Sequence, residues 1–81
     1  MADTSELTAD IVVDAQGELC PMPVIQASRA LKALKAGQVL KLLATDPGST
    51  ADIPALAEAL GHSLVKTETA GDKFTYWIRK A

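Results

Sequence analysis

The sequence predicts an α/β two-layer sandwich: a four-stranded mixed sheet in the order β-α-β-α-β-β, with two helices on one face. Two stretches repeat apolar residues at helical spacing, and each follows a short apolar run of strand character. The chain then closes with two further strand-like runs joined through a Gly-Asp turn. The 81 residues admit one hydrophobic core, since a domain commonly takes about 100–200 residues.

Residues 1–9 are small and polar without periodicity and are expected to form a flexible tail, leaving 10–81 as the single domain. Ile11, Val12 and Val13 form a β-branched run that ends at Asp14-Ala15-Gln16-Gly17, the pattern of a strand followed by a glycine turn. From Pro21 onward Val24, Ala27, Leu31 and Leu34 recur at helical spacing, with Gly37 as the expected stop. The apolar run 39–44 suits a strand in the middle of the sheet. After the turn residues Asp46, Pro47 and Gly48, a side-chain oxygen of Ser49 or Asp52 is expected to cap a second helix. Ile53, Leu56, Ala57 and Leu60 give that helix its apolar stripe, and Gly61 gives it a left-handed terminus. A start near Asp52 would hold Pro54 close to the first turn, where a missing N–H costs least. Residues 63–69 and 74–79 read as a hairpin closed through 70–73. Phe74, Tyr76 and Ile78 share one face of it, while Trp77, with Thr75 and Arg79, points to the open face, either as a contact residue or as cover for its own sheet.

Composition narrows the function classes. The net charge is -2, with 8 basic and 10 acidic residues, and three of the acids (Asp3, Glu6 and Asp10) lie in the first ten positions. The remainder is close to neutral, whereas non-specific phosphate binding needs a basic surface, so no direct nucleic-acid partner is expected. No apolar stretch approaches the roughly 18 residues of a membrane helix, and no membrane association is expected. Residues 1–6 lack the basic start and apolar run of a secretion signal, which with a single cysteine predicts a reducing, cytoplasmic setting. One cysteine and one histidine, His62, cannot supply the soft ligands of a tetrahedral zinc site, so neither a metal nor a cofactor is expected.

The chemistry concentrates at Cys20-Pro21-Met22-Pro23. Proline is favoured at a first helical position, where its absent N–H would have no partner anyway, so the two prolines mark a helix start. On this reading Cys20 is the N-cap, its sulfur accepting a hydrogen bond from the Met22 N–H and facing the positive end of the helix dipole. That placement favours the thiolate, the nucleophilic form, although the acidic Glu18 and the two missing N–H groups moderate it. Most unpaired cysteines are inert buried hydrophobes, and the flanking prolines are what argue against that here. Asp14, Asp46 and Asp52 are conceivable acid-base groups, but turn formation and capping account for them more simply. His62 is expected at the end of the second helix, away from Cys20. Arg29, Lys32 and Lys35 form a basic stripe at i, i+3, i+6, read either as a solvated face or as a dock for an acidic partner beside the cysteine.

These residues together resemble the TusA family of sulfur carriers, also described as SirA-like proteins. The resemblance rests on Cys20-Pro21-Met22-Pro23, on Asp14 and Gly17 before it, and on the later stretches 44–54, 61–64 and 76–80. It implies a β-α-β-α-β-β sandwich like the C-terminal domain of translation initiation factor three. It also implies that Cys20 takes sulfane sulfur as a persulfide from a cysteine desulfurase or a rhodanese and hands it to a downstream acceptor protein, in transfer-RNA 2-thiouridine formation or in sulfur oxidation. Pro21, Met22, Pro23, Asp14 and Gly17 would then position the thiol, and the protein would work as a monomer. Two positions depart from the family's usual pattern: Leu19 stands where a basic residue often precedes the cysteine, and Met22 where a polar or charged residue often separates the prolines. The alternative from a different class is a non-catalytic interaction or regulatory module in which Cys20 senses oxidation.

Overall fold

A computed structural model describes residues 9–81, so all but the last residue of the expected tail lies outside the described residues. The order is β1 (Ile11–Ala15), α1 (Met22–Ala33), β2 (Val39–Ala44), α2 (Ser49–Ala59), β3 (Ser63–Ala70) and β4 (Lys73–Arg79), the predicted α/β sandwich. The strands lie in the order β1-β2-β4-β3, with β1 parallel to β2 and the other neighbours antiparallel. The run 39–44 is thus an inner strand, as its continuous hydrophobicity predicts.

Register decides the faces. Leu40 and Leu42 of β2 pair with Ile78 and Tyr76 of β4, and with Ile11 and Val13 of β1. Together with Ala27, Leu31, Ile53 and Ala57 from the helices they form the core. Leu31, Leu40, Leu42, Ile53 and Ile78 are essentially inaccessible to solvent. Burial of such a side chain contributes on the order of 1.5–3 kcal/mol, so these few residues supply much of the folding force.

The hairpin between β3 and β4 closes on a two-residue loop, Gly71-Asp72, in which Gly71 takes φ 65 and no non-glycine residue is left-handed. β3 carries a bulge between Leu64 and Lys66. The extra residue has a consequence for both faces: Leu64 pairs with Ile78 on the core side, yet Lys66, two positions on, pairs with Trp77 on the open side. Trp77 lies on an inner strand and is only 6% exposed, because the Lys41 and Lys66 ammonium groups stand over its ring at 5.4 and 5.2 Å. It is covered by its own sheet and is not a free contact residue.

Both helix starts differ from the sequence expectation. α2 begins at Ser49, with Gly48 as N-cap and no side-chain cap hydrogen bond. Ser49 is buried and its hydroxyl pairs with the Tyr76 hydroxyl at 2.7 Å, so it is engaged in the core instead of capping. The earlier start leaves Pro54 inside the helix. At the other end Gly61 takes φ 78, with His62 N–H donating to the Ala57 carbonyl and Gly61 N–H to that of Glu58, the paired terminus that Gly61 predicts. α1 ends at Ala33, with Leu34 extended, so Gly37 serves a separate turn in which Gln38 N–H reaches the Lys35 carbonyl.

Candidate functional site

Because β1 and β2 run parallel and each leads into a helix, both connections emerge at the same edge of the sheet. The first is shaped locally: Gln16 N–H donates to Asp14 Oδ1 at 3.0 Å, and Gly17 turns the chain at φ 83. Gly17 N–H then donates to Thr45 Oγ1 at 2.8 Å, which ties the first connection to the second. Leu19 accepts from Met22 N–H at 2.8 Å across the cis Cys20–Pro21 bond, a turn with proline at its third position. Cys20 is held exposed on that turn.

The N-cap expectation for Cys20 is overturned. Pro21 is the N-cap and α1 starts at Met22, so Cys20 lies one residue outside, and the Met22 N–H meant for the sulfur is taken by Leu19. Pro23 is buried in the first turn and Met22 half-buried, which fixes the helix start beneath the cysteine. Sγ instead donates to Asp52 Oδ2 at 3.3 Å, across to the first turn of α2.

The electrostatic direction reverses with it. The Asp52 hydrogen bond, followed by desolvation and by the negative charges of Asp52 and Asp46, pushes the Cys20 thiol above its ordinary value. A helix N-terminus offers roughly half an elementary charge spread over a turn. Asp52 brings a whole negative charge to hydrogen-bonding distance and accepts a bond that exists only while the thiol keeps its proton. The carboxylate therefore outweighs the dipole, and the resting form is the thiol.

Asp46 completes the cluster. Its Oδ2 is buried and has no hydrogen-bond partner among the described residues. A Cβ on Gly48 would stand 3.2 Å from Asp46 Oδ2 and 3.7 Å from Asp52 Oδ2, so the two carboxylates flank that glycine. Turn and cap duty is the simpler expectation for both aspartates from sequence, and no local pattern marks them as neighbours of the thiol. The signal available was topological: residues following two adjacent parallel strands share one edge.

The other candidates are not gathered there. Arg29, Lys32 and Lys35 are exposed, but Lys32 lies in the last turn of α1 and Lys35 beyond the helix. At 1.5 Å per residue Lys32 is about 15 Å along the axis from the helix start, so the stripe runs away from the cysteine. His62 Nδ1 accepts from Ala81 N–H at 3.0 Å beyond the end of α2, the terminus role expected of it. Among the described residues no three His, Cys, Asp or Glu are arranged to hold a metal. No helix among them is long and apolar enough to cross a membrane. A cavity of about 300 Å³ between α2 and β3, lined by Thr50, Pro54, Leu64 and Tyr76 among others, does not include Cys20.

Residues 11–80 match the family described as Sulfurtransferase TusA. The chain is 42% identical over 76 residues to the "Sulfur carrier protein TusA" of Pseudomonas putida, covering 94% of this chain and 95% of that one. It is 46% identical over 74 residues to the "Putative sulfur carrier protein YrkF" of Bacillus subtilis, covering 91% of this chain but only 40% of that longer protein. The crystal structure of a SirA-like protein from Desulfitobacterium hafniense superposes with a TM-score of 0.75 at 32% identity, over 85% of this chain and 95% of that one. With a family match over residues 11–80, a relative 42% identical over nearly its whole length and a shared fold, the chain belongs to the TusA family of sulfurtransferases.

Proposed function

We propose that this protein is a sulfur carrier in which Cys20 accepts a sulfane sulfur as a persulfide and delivers it to an acceptor protein. The observation that carries this reading is the single cysteine held exposed on a hydrogen-bonded turn outside α1, open to a partner instead of enclosed in a pocket. A thiolate attacks a sulfane sulfur, and a second thiolate then attacks the same atom, so the exchange needs access from successive partners more than it needs a substrate cavity. Relatives whose names describe sulfur carriers include the TusA proteins of Pseudomonas putida and Allochromatium vinosum.

The donor is a cysteine desulfurase or a rhodanese, the acceptor the next protein of a relay, and the destination either 2-thiouridine in transfer RNA or sulfur oxidation, in the cytoplasm. Asp14, Gly17, Pro21, Met22 and Pro23 position the thiol through the turn and helix start described above. Within the basic stripe, Arg29 lies nearest the thiol along α1, so a docking role falls to it before Lys32 and Lys35. Intact-mass spectrometry after incubation with a cysteine desulfurase and cysteine, or with a rhodanese and thiosulfate, tests the reading. A reductant-labile gain of one sulfur atom is expected on the wild type and not on Cys20→Ser. No gain from either donor would sink it in favour of an interaction module with an oxidation-sensing thiol.

A further inference from the structure

We propose that Asp52 is the proton acceptor for Cys20 when sulfur is loaded, and its proton donor when sulfur leaves. The inference rests on the carrier reading. Its geometric basis is the Sγ–Oδ2 hydrogen bond of 3.3 Å, whose acceptor is supplied by the first turn of a second helix.

A resting thiol presents two difficulties to a carrier. It is a poor nucleophile until its proton departs, and in delivery the same Sγ must act as leaving group, which a basic thiolate does slowly. Every charged group that raises the thiol here is acidic: Asp52 from α2 and Asp46 from the β2–α2 connection. Such surroundings would obstruct both half-reactions unless one of the carboxylates handled the proton. Asp52 is the one in contact, while Asp46 acts only through space.

In loading, Asp52 Oδ2 takes the Sγ proton and the freed electron pair forms a bond to the terminal sulfur of the donor persulfide. The donor's S–S bond breaks, and its electron pair leaves on the donor cysteine as a thiolate. The transferred sulfur keeps its oxidation state, so no external oxidant or reductant is required. In delivery, an acceptor thiolate attacks that terminal sulfur, the Cys20 S–S bond breaks, and Sγ departs with the pair and takes a proton from Asp52. Between the two steps the carboxyl proton exchanges with water. Microscopic reversibility gives one residue both roles.

The test uses the full chain with glutathione persulfide as the sulfur source, following the rate of sulfur gain on Cys20 by mass across pH, beside the rate of alkylation by iodoacetamide. Asp52→Asn removes the negative charge facing the thiol, so it is expected to alkylate faster at neutral pH. The same variant should gain sulfur on the order of 100-fold more slowly. Asp52→Glu, which retains a carboxylate, is expected to recover most of the sulfur-transfer rate and serves as the second variant should the amide fail to fold. A purely structural role would move alkylation and sulfur gain in the same direction. Sulfur gain by Asp52→Asn as fast as or faster than wild type overturns the proposal and leaves the carrier reading standing. A wild-type protein that alkylates normally yet gains no sulfur overturns both.

Discussion

Cys20 and Asp52 stand 32 positions apart in the chain and meet at 3.3 Å, and this contact, more than the neighbouring start of α1, sets the direction in which the thiol's titration is shifted. The cysteine was legible in the sequence because two prolines one and three positions on can be reconciled only at a helix start. Its partner was not, because side-chain contact across two connections leaves no local pattern. The direction of the shift makes a prediction with a definite sign. The folded thiol titrates above its unfolded value, so folding is favoured while the thiol is protonated, below the unfolded value, and this contribution is lost as pH rises through the folded value. At neutral pH, therefore, Cys20 should alkylate more slowly in the native protein than in the chain unfolded by urea, despite its exposure. A native rate equal to or above the unfolded one would show that Asp52 does not restrain the thiol.

At the scale of elements, the strands and the end of α2 were legible because each has a local cause: the β-branched run of β1, the apolar run of β2, the Gly71 loop and the Gly61 terminus. The helix starts were not, because Ser49 forgoes the cap to pair with Tyr76 in the core, a tertiary preference that residue type alone cannot reveal. That buried pair carries its own prediction. Ser49→Ala strands the Tyr76 hydroxyl and should cost about 1–3 kcal/mol of unfolding free energy, measured by urea titration. Burial, partly offset by the Ser49 bond and reinforced by the charge of Asp46, raises the Tyr76 hydroxyl above its ordinary value. Stability linked to it is fully present below the unfolded value, roughly 10, and falls as pH rises through the folded one. Tyr76→Phe should flatten this alkaline decline; an unchanged slope would assign the decline to other groups. The bulge at Leu64/Lys66 was likewise invisible in the sequence, since alternation predicts both residues on one face.

Over the whole molecule, charge is sorted by the parallel layout. Asp14, Glu18, Asp46 and Asp52 lie at the end of the sheet where both helices begin, while Lys32, Lys35, Arg79 and Lys80 outnumber Asp10 and Glu58 at the end where the helices stop. The near-neutral composition gave no sign of this, because a total says nothing about distribution. Loading by glutathione persulfide, itself an anion, should accelerate as salt is raised from about 10 mM to 150 mM, where screening shortens from roughly 30 Å to 8 Å. A rate that falls with salt would mean the thiol edge does not repel anions.

The C-terminal residues are pinned at the opposite edge, with Lys80 Nζ on the Leu31 carbonyl, Lys80 N–H on Gln38 and Ala81 N–H on His62. Anything joined after Ala81 therefore departs with its back to the thiol. Tethered there to a bead, an electrode or a companion domain, the protein would face outward with its Cys20 turn unobstructed, as an orientable cartridge.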